Sequence, residues 1–194
     1  DLTNTLEQLA QHGRAGFYQG AIANKLLQGV SEAGGGWTQA DLDHYKIIER
    51  EVVTGDYQGY RISSAALPSS GGIVLTQILN QLTYLPLAEA DQTQQRHLIV
   101  EAMRRAYFDR SRYLGDSDFV AIPPHLTSRQ YAQALVADID STMASDNTAL
   151  IDSSTKGEDT THFSIVDQYG NRVAATLSIN YSFGSGFVAP GTGV

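Results

Sequence analysis

The stretch Glu158-Asp159-Thr160-Thr161-His162-Phe163-Ser164-Ile165-Val166-Asp167 decides how this chain is read. From Thr161 the apolar positions recur at every second residue, Phe163 and Ile165. They do so again at Val173, Ala175, Leu177 and Ile179, beyond the turn Asp167-Gln168-Tyr169-Gly170-Asn171. Two alternating runs about a Gly-Asn turn predict a β-hairpin. A β-branched residue at the head of a strand satisfies β-propensity and needs no function. Thr160 nevertheless admits a second reading. If the backbone is cut just before it, one residue supplies both a nucleophilic hydroxyl and a free α-amine to activate it. An α-amine, with an ordinary pKa of roughly 7.7 to 8.0, is well suited to take that proton near neutrality.

Upstream the period is helical. Ile22, Leu26 and Val30 recur every four residues and predict a helix over about 17–31, ended by Gly34-Gly35-Gly36. Thr38 stands three residues before Asp41, the spacing of a capping box, and opens a short helix holding Leu42 and Tyr45. Val52-Val53 and Tyr57 to Ile62 read as a hairpin split by Thr54-Gly55-Asp56. Further helices are expected from Ile73 to about Leu82, from about Gln92 to Tyr113, and after Ser128 with Tyr131, Leu135 and Ile139 as apolar positions. Residues 141 to 158 are polar and aperiodic, an expected exposed, mobile loop that delivers Asp159 to the head of the strand. The fold class predicted is α+β, mostly helical in residues 1–140 with the second set of strands starting at residue 160.

With 194 residues, the chain is large enough to bury a core, and 42% hydrophobic against 18% charged residues argues against disorder. A net charge of −8 without any basic stripe argues against a nucleic-acid surface. Zero cysteines exclude a disulfide framework, a thiolate metal site and a cysteine nucleophile. No run approaches the roughly 20 apolar residues of a membrane span. The chain opens inside a helix-rich pattern at Asp1-Leu2-Thr3 and stops just after a turn at Pro190-Gly191-Thr192-Gly193-Val194, so a fragment of something longer is expected.

Several blocks standing in order carry a family resemblance: Phe17-Tyr18-Gln19-Gly20, Asp41-Leu42 with Tyr45, Gly55-Asp56-Tyr57, Pro68-Ser69-Ser70-Gly71-Gly72, Asp109-Arg110-Ser111 and Tyr113-Leu114-Gly115-Asp116. The Thr160 region follows, with Ser178-Ile179-Asn180-Tyr181-Ser182-Phe183-Gly184-Ser185-Gly186 after it. Together they resemble the γ-glutamyltranspeptidases, N-terminal-nucleophile hydrolases made as a single precursor. The resemblance implies part of an αββα sandwich and a scissile bond at Asp159–Thr160. It further implies a division into the end of a large subunit (1–159) and the start of a small one (160–194), paired as a heterodimer after cleavage. Thr160 is then the catalytic nucleophile toward a γ-glutamyl donor such as glutathione, with water or amino acids and peptides as acceptors and no metal or organic cofactor. Ser178 falls where the family usually carries a second threonine that hydrogen-bonds the nucleophile. Asn180, on the same strand face, matches an asparagine that helps hold the donor's α-amino group. A periplasmic or secreted location is implied, with any signal peptide upstream of Asp1.

Each candidate has a plainer alternative. Ser178 can be a polar residue on the open face of a strand. Pro68 to Gly72 offers bare N–H groups before a helix, but the family's substrate-binding Ser and Gly pairs lie downstream of the nucleophile, and the block reads as the start of a helix. Asp109, Asp116 and Asp118 read as a helix C-terminus with ion pairs before a metal cluster, and His162 reads as packing before catalysis. Related activities remain open, namely a cephalosporin or glutaryl acylase or a polyglutamate-processing enzyme. So do an uncleaved structural module, an unrelated binding protein with chance matches, and a fragment that pairs with a second copy along a bare sheet edge.

Overall fold

A computed structural model describes residues 1–145, 160–178 and 183–194. It divides into two compact units, one built from Asp1–Ile48 with the described part of Ser154–Val194, the other from Glu49–Ser153.

In the first unit, helices α1 (Leu2–His12), α2 (Arg14–Tyr18), α3 (Gly20–Glu32) and α4 (Gln39–His44) follow one another. The helix expected over 17–31 starts later, at Gly20, because Gln19 is extended and Gly20 takes a left-handed φ of 66°. That break leaves Phe17 on the separate turn of α2. The stripe Ile22, Ala23, Leu26 and Gly29 is the buried face of α3. Gly29 is required by the chain crossing there, since a Cβ at that position would lie 2.9 Å from Pro190 Cδ. The crossing segment is tied down by buried hydroxyls: Thr5 donates to the Thr192 carbonyl at 2.7 Å, and the Thr192 hydroxyl donates to Ala189 at 2.7 Å. The capping box at α4 is present, with the Asp41 carboxylate accepting from the Thr38 amide at 2.7 Å and the Thr38 hydroxyl at 2.8 Å. Those two bonds, the hydroxyl's first, hold the Asp41 carboxyl below its ordinary range.

The same unit carries the second hairpin, β3 (Thr160–Val166) and β4 (Arg172–Ser178), paired antiparallel. The alternation read from sequence assigns its faces correctly, apart from Ile179, which lies outside the described residues.

The second unit is arranged about α5 (Gly71–Leu82), which packs against α6 (Gln92–Tyr113), α7 (Arg129–Val136), strand β1 (Val53–Tyr57) and a 3-10 turn at Pro124–Thr127. Leu67, Ile73 and Leu126 are its apolar centre, with Val53, Leu114, Ile122 and Tyr131 packed around them. Asp91 caps α6 as an N-cap should, accepting from the Thr93 and Gln94 amides. Ser128 does the same for α7, which ends at Val136 and leaves Ile139 beyond it. The first hairpin corrects the expectation. Thr54-Gly55-Asp56 lies inside β1, and the chain reverses at Gln58 and Gly59 before β2 (Tyr60–Ser64). Both turn residues have positive φ, 48° and 83°, as a two-residue primed turn demands. Gly55 serves closeness instead, for a Cβ there would sit 3.0 Å from the Thr76 side chain.

Two carboxylates lie on the buried stripe of α6. Asp109 accepts from the Gln77 side chain and, at 2.9 Å, from the Tyr131 hydroxyl, whose pKa burial and this carboxylate together push up to about 12. Glu101, with its side chain 2% exposed, is paired with Arg104 and Arg105. It also accepts from the Ser145 hydroxyl at 2.6 Å and the Ser145 amide at 3.3 Å. Arg104 in turn donates to the Ser145 carbonyl at 3.0 Å, so all the polar groups of Ser145 are bound. Burial alone would raise the Glu101 carboxyl; the bonds from Ser145, Arg105 and Arg104 outweigh it and bring the pKa down to about 2. A carboxyl depressed on folding stabilises fully above its unfolded value, 4.5, and loses that contribution as pH falls through about 2. Glu101→Gln should therefore cost about 3 kcal/mol at neutral pH and flatten the acid limb of stability between those values. Urea unfolding across the acid range tests this, and an unchanged pH slope in the variant would contradict it.

Candidate active site

The second hairpin holds two of the residues picked out by sequence, Thr160 and Ser178. Its register places Thr160 directly opposite Ser178, His162 opposite Thr176 and Ser164 opposite Ala174. The other face carries Phe163, Ile165, Val173 and Leu177, of which even the most covered, Phe163, is 41% exposed. The strands are thus amphipathic with an open apolar side, and His162, Ser164, Thr176 and Ser178 stand on the opposite one.

The turn sets this register. One Asp167 oxygen accepts from the amides of Tyr169 and Asn171, both at 2.9 Å, and the other accepts from the Asn171 side chain at 2.7 Å. Gly170 supplies the left-handed residue, with φ 83°. The Asn171 side chain, followed by the turn amides, holds the Asp167 carboxyl below its ordinary range. An Asp-Asn clasp of this kind fixes which residues meet across the strands.

Among the predicted site residues, Thr160 and Ser178 are brought together as a cross-strand pair, whose Cβ atoms in antiparallel sheets lie about 5 Å apart. Asp159 and Asn180 lie outside the described residues, as does most of the polar stretch before them. His162 is not packed as expected: it is exposed, its Nδ1 is 2.8 Å from the Thr176 hydroxyl and its Nε2 is 3.3 Å from that of Ser164. The reason is parity, since even-numbered positions of β3 face away from Phe163 and Ile165. That same parity in the sequence could have found it.

Away from the hairpin, Asp116 and Asp118 both receive Arg50, at 3.3 and 2.8 Å, and no cluster of metal-ligating side chains occurs among the described residues. Ser70 accepts from Arg110 Nε at 2.9 Å immediately before α5, the helix start expected there. No helix among the described residues is long and apolar enough to cross a membrane. A cavity of about 680 Å³ opens in the first unit, lined among others by Phe17, Tyr18, Trp37, Leu42, Tyr45 and Phe187. Its aromatic wall is a stack of Tyr18 on Tyr45, 5.6 Å apart, with the Arg14 guanidinium 4.4 Å over Tyr18. Arg14 also donates to the carbonyls of Leu42, Asp43 and Tyr45 at the end of α4. The sequence reading missed Arg14 altogether, because its partners are backbone oxygens distant in the chain.

By fold the chain falls among γ-glutamyltranspeptidases and related acylases. Cephalosporin acylase from Bacillus halodurans superposes over 100% of this chain and 34% of its own, with a TM-score of 0.81 at 25% identity. Helicobacter pylori γ-glutamyltranspeptidase covers 78% of this chain and 46% of its own, with a TM-score of 0.66 at 35% identity. In sequence, a glutathione hydrolase proenzyme from Pseudomonas sp. strain A14 is 43% identical over 199 residues, covering 100% of this chain and 35% of that protein. The family model for γ-glutamyltranspeptidase matches residues 1–194. The chain belongs to the γ-glutamyltranspeptidase family, and it spans about a third of the length of the curated relatives it matches.

Removing the turn clasp should loosen the register. Asp167→Ala is expected to speed amide exchange in β3 and β4 about tenfold. Hydrogen exchange followed by NMR checks this; unchanged protection at the Thr160–Ser178 end would show that the turn does not set the pairing.

Proposed function

We propose that this chain is the part of a γ-glutamyltransferase precursor that spans its processing site. The observation that carries the reading is the position of Thr160, at the head of a strand and directly opposite the hydroxyl residue Ser178. In maturation the Thr160 hydroxyl attacks the carbonyl of Asp159, and the peptide C–N bond gives way to an ester. Water hydrolyses that ester, leaving a carboxylate on Asp159 and a free α-amine on Thr160. The amine then serves as base for the adjacent hydroxyl, which a threonine otherwise lacks near neutrality. Thr160 attacks the γ-amide of a glutathione-like donor, the amine leaves, and a γ-glutamyl ester remains. Water or an acceptor amine resolves the ester and regenerates the hydroxyl. Ser178 holds the Thr160 hydroxyl in line, and Asn180 helps to bind the donor's α-amino group. No cofactor is needed for any step.

On this reading residues 1–159 end the large subunit and residues 160–194 begin the small one. The open apolar face of the β3–β4 hairpin supports an αββα sandwich, since a lone two-stranded sheet with an uncovered apolar side is marginal in water. The remaining two thirds of a relative's length would supply the other strands and most of the pocket. A periplasmic or secreted location goes with the family reading. The likeness to cephalosporin acylase favours one second reading, an acylase acting on a glutaryl-type amide that lacks the α-amine.

Intact mass of the full-length precursor after incubation at neutral pH tests the first step. Wild type should split between Asp159 and Thr160, Thr160→Ala should stay whole, and Ser178→Ala should mature roughly tenfold or more slowly. A Thr160→Ala protein that still splits there would refute the nucleophile. On the mature protein, γ-glutamyl and glutaryl anilides differ only in the α-amine. Preference for the former supports the transferase, and for the latter the acylase.

A further inference from the structure

Beyond α7 the chain keeps little apolar hold on the second unit. Ile139 is half-buried, residues 140–144 are exposed, and Met143 among them is 67% exposed. Ser145 is then half-buried again, with its amide, hydroxyl and carbonyl all hydrogen-bonded. Glu101 accepts from the amide at 3.3 Å and from the hydroxyl at 2.6 Å. Arg104 donates to the carbonyl at 3.0 Å, and Arg105 donates to the hydroxyl oxygen at 3.1 Å. At i, i+3 and i+4 of α6 these three side chains stand on one face of the helix.

Two other contacts lie nearer α7. His97, one turn before Glu101, has its Nε2 2.8 Å from the Asp140 carbonyl, and Arg105 reaches Asp138 at 2.9 Å. The Asp138 side chain is 82% exposed, and a pair of that kind adds little. A buried carboxylate is different, being costly unless its partners satisfy it. Ser145 supplies two of the bonds that do so, and serine and carboxylate hold each other. After Ser145 come residues 146–159 and the bond proposed to be cut. In the precursor that stretch is attached to Ser145 at one end and to β3 at the other. Cleavage removes the attachment to β3.

We propose that Glu101, with Arg104 and Arg105, is a latch for the end that self-cleavage creates: by holding Ser145 it stops the large subunit from unravelling backward past that residue. The inference rests on the reading of Asp159–Thr160 as the bond that is cut. Fraying runs inward from a free end through residues with few contacts. Residues 140–144 are of that kind, since the bonds that Asp140 accepts from Thr142 and Met143 are local and open with them. Without the hold on Ser145 the next stops are the His97 contact at Asp140 and the end of α7 at Val136. The cut itself does not need the latch. Moving the upstream attachment from Ser145 to Asp140 lengthens the loop by about five residues, which changes loop closure less than about twofold.

The test uses the full-length precursor after maturation, treated with a broad-specificity carboxypeptidase under native conditions and followed by the mass of the large subunit. In wild type trimming should halt within about two residues of Ser145. In Glu101→Gln it should pass Ser145 at least about tenfold faster and halt near Asp140 or Val136. The rate of self-cleavage should stay within about twofold of wild type, a combination that general unfolding would not produce. Ser145→Ala removes the hydroxyl alone and reads the same contact should Glu101→Gln fail to fold. It should also let trimming pass, and Ser145→Thr, which keeps the hydroxyl, should restore the halt. Wild-type trimming that runs through Ser145 to α7 without pausing overturns the proposal, as does a Ser145→Ala protein that halts where wild type does. If the wild-type precursor does not split at Asp159–Thr160, the reading of that bond falls and the latch falls with it. If it splits and trimming ignores Ser145, only the latch is lost.

Discussion

The chemistry proposed for this chain depends on the register of one hairpin. Side chains of a strand alternate between faces, so a slip of one residue would carry Ser178 to the apolar side and leave Thr160 opposite a leucine or an isoleucine. Among the described residues the apolar face of the hairpin is largely open and gives little protection against that slip. The protection is local and polar. Asp167 binds the backbone and side chain of Asn171 across the turn, and Gly170 takes the conformation that closes it. A turn at one end of two seven-residue strands thereby decides which residues are paired at the other.

The second unit relies on a different kind of constraint. Its central helices bury polar groups, Gln77, Asn80 and Gln81 on α5 and Glu101 and Asp109 on α6, where apolar side chains would be expected. Such groups are costly unless paired, and the two carboxylates are paired with specific partners: Asp109 with Gln77 and Tyr131, Glu101 with two arginines and Ser145; Gln81 donates through its amide nitrogen while its Oε1 is buried without a partner. Ser145 is the last described residue before the stretch that leads to Asp159. A buried carboxylate that binds one serine at its hydroxyl and amide specifies a single path for the chain at that point, which an apolar contact would not.

Much of this was legible beforehand, and the successes share a cause. The long helix ending at Tyr113, the starts at Thr38 and Ser128 and the alternation of the second hairpin all follow from periodicity and capping, which are local properties. The failures share one too. Thr54-Gly55-Asp56 has the composition of a turn, but Gly55 is there to let Thr76 of α5 come close, and the reversal occurs at Gln58-Gly59. His162 reads as packing from its place on the strand between Thr161 and Phe163, while its neighbours in space are hydroxyls. Arg14 carried no motif at all, since it serves carbonyl oxygens about thirty positions away.

By itself, then, the sequence determined the family, the helical and alternating segments, and the identity of Thr160 as the residue to watch, because each is written in short-range order of residue types. Only the tertiary structure decided that Ser178 is the residue opposite Thr160, that His162 is engaged by Thr176, and that Glu101 and Asp109 can be buried. Those facts depend on strand register and on which distant residues come within hydrogen-bond distance, and pairing of that kind is a property of the folded chain.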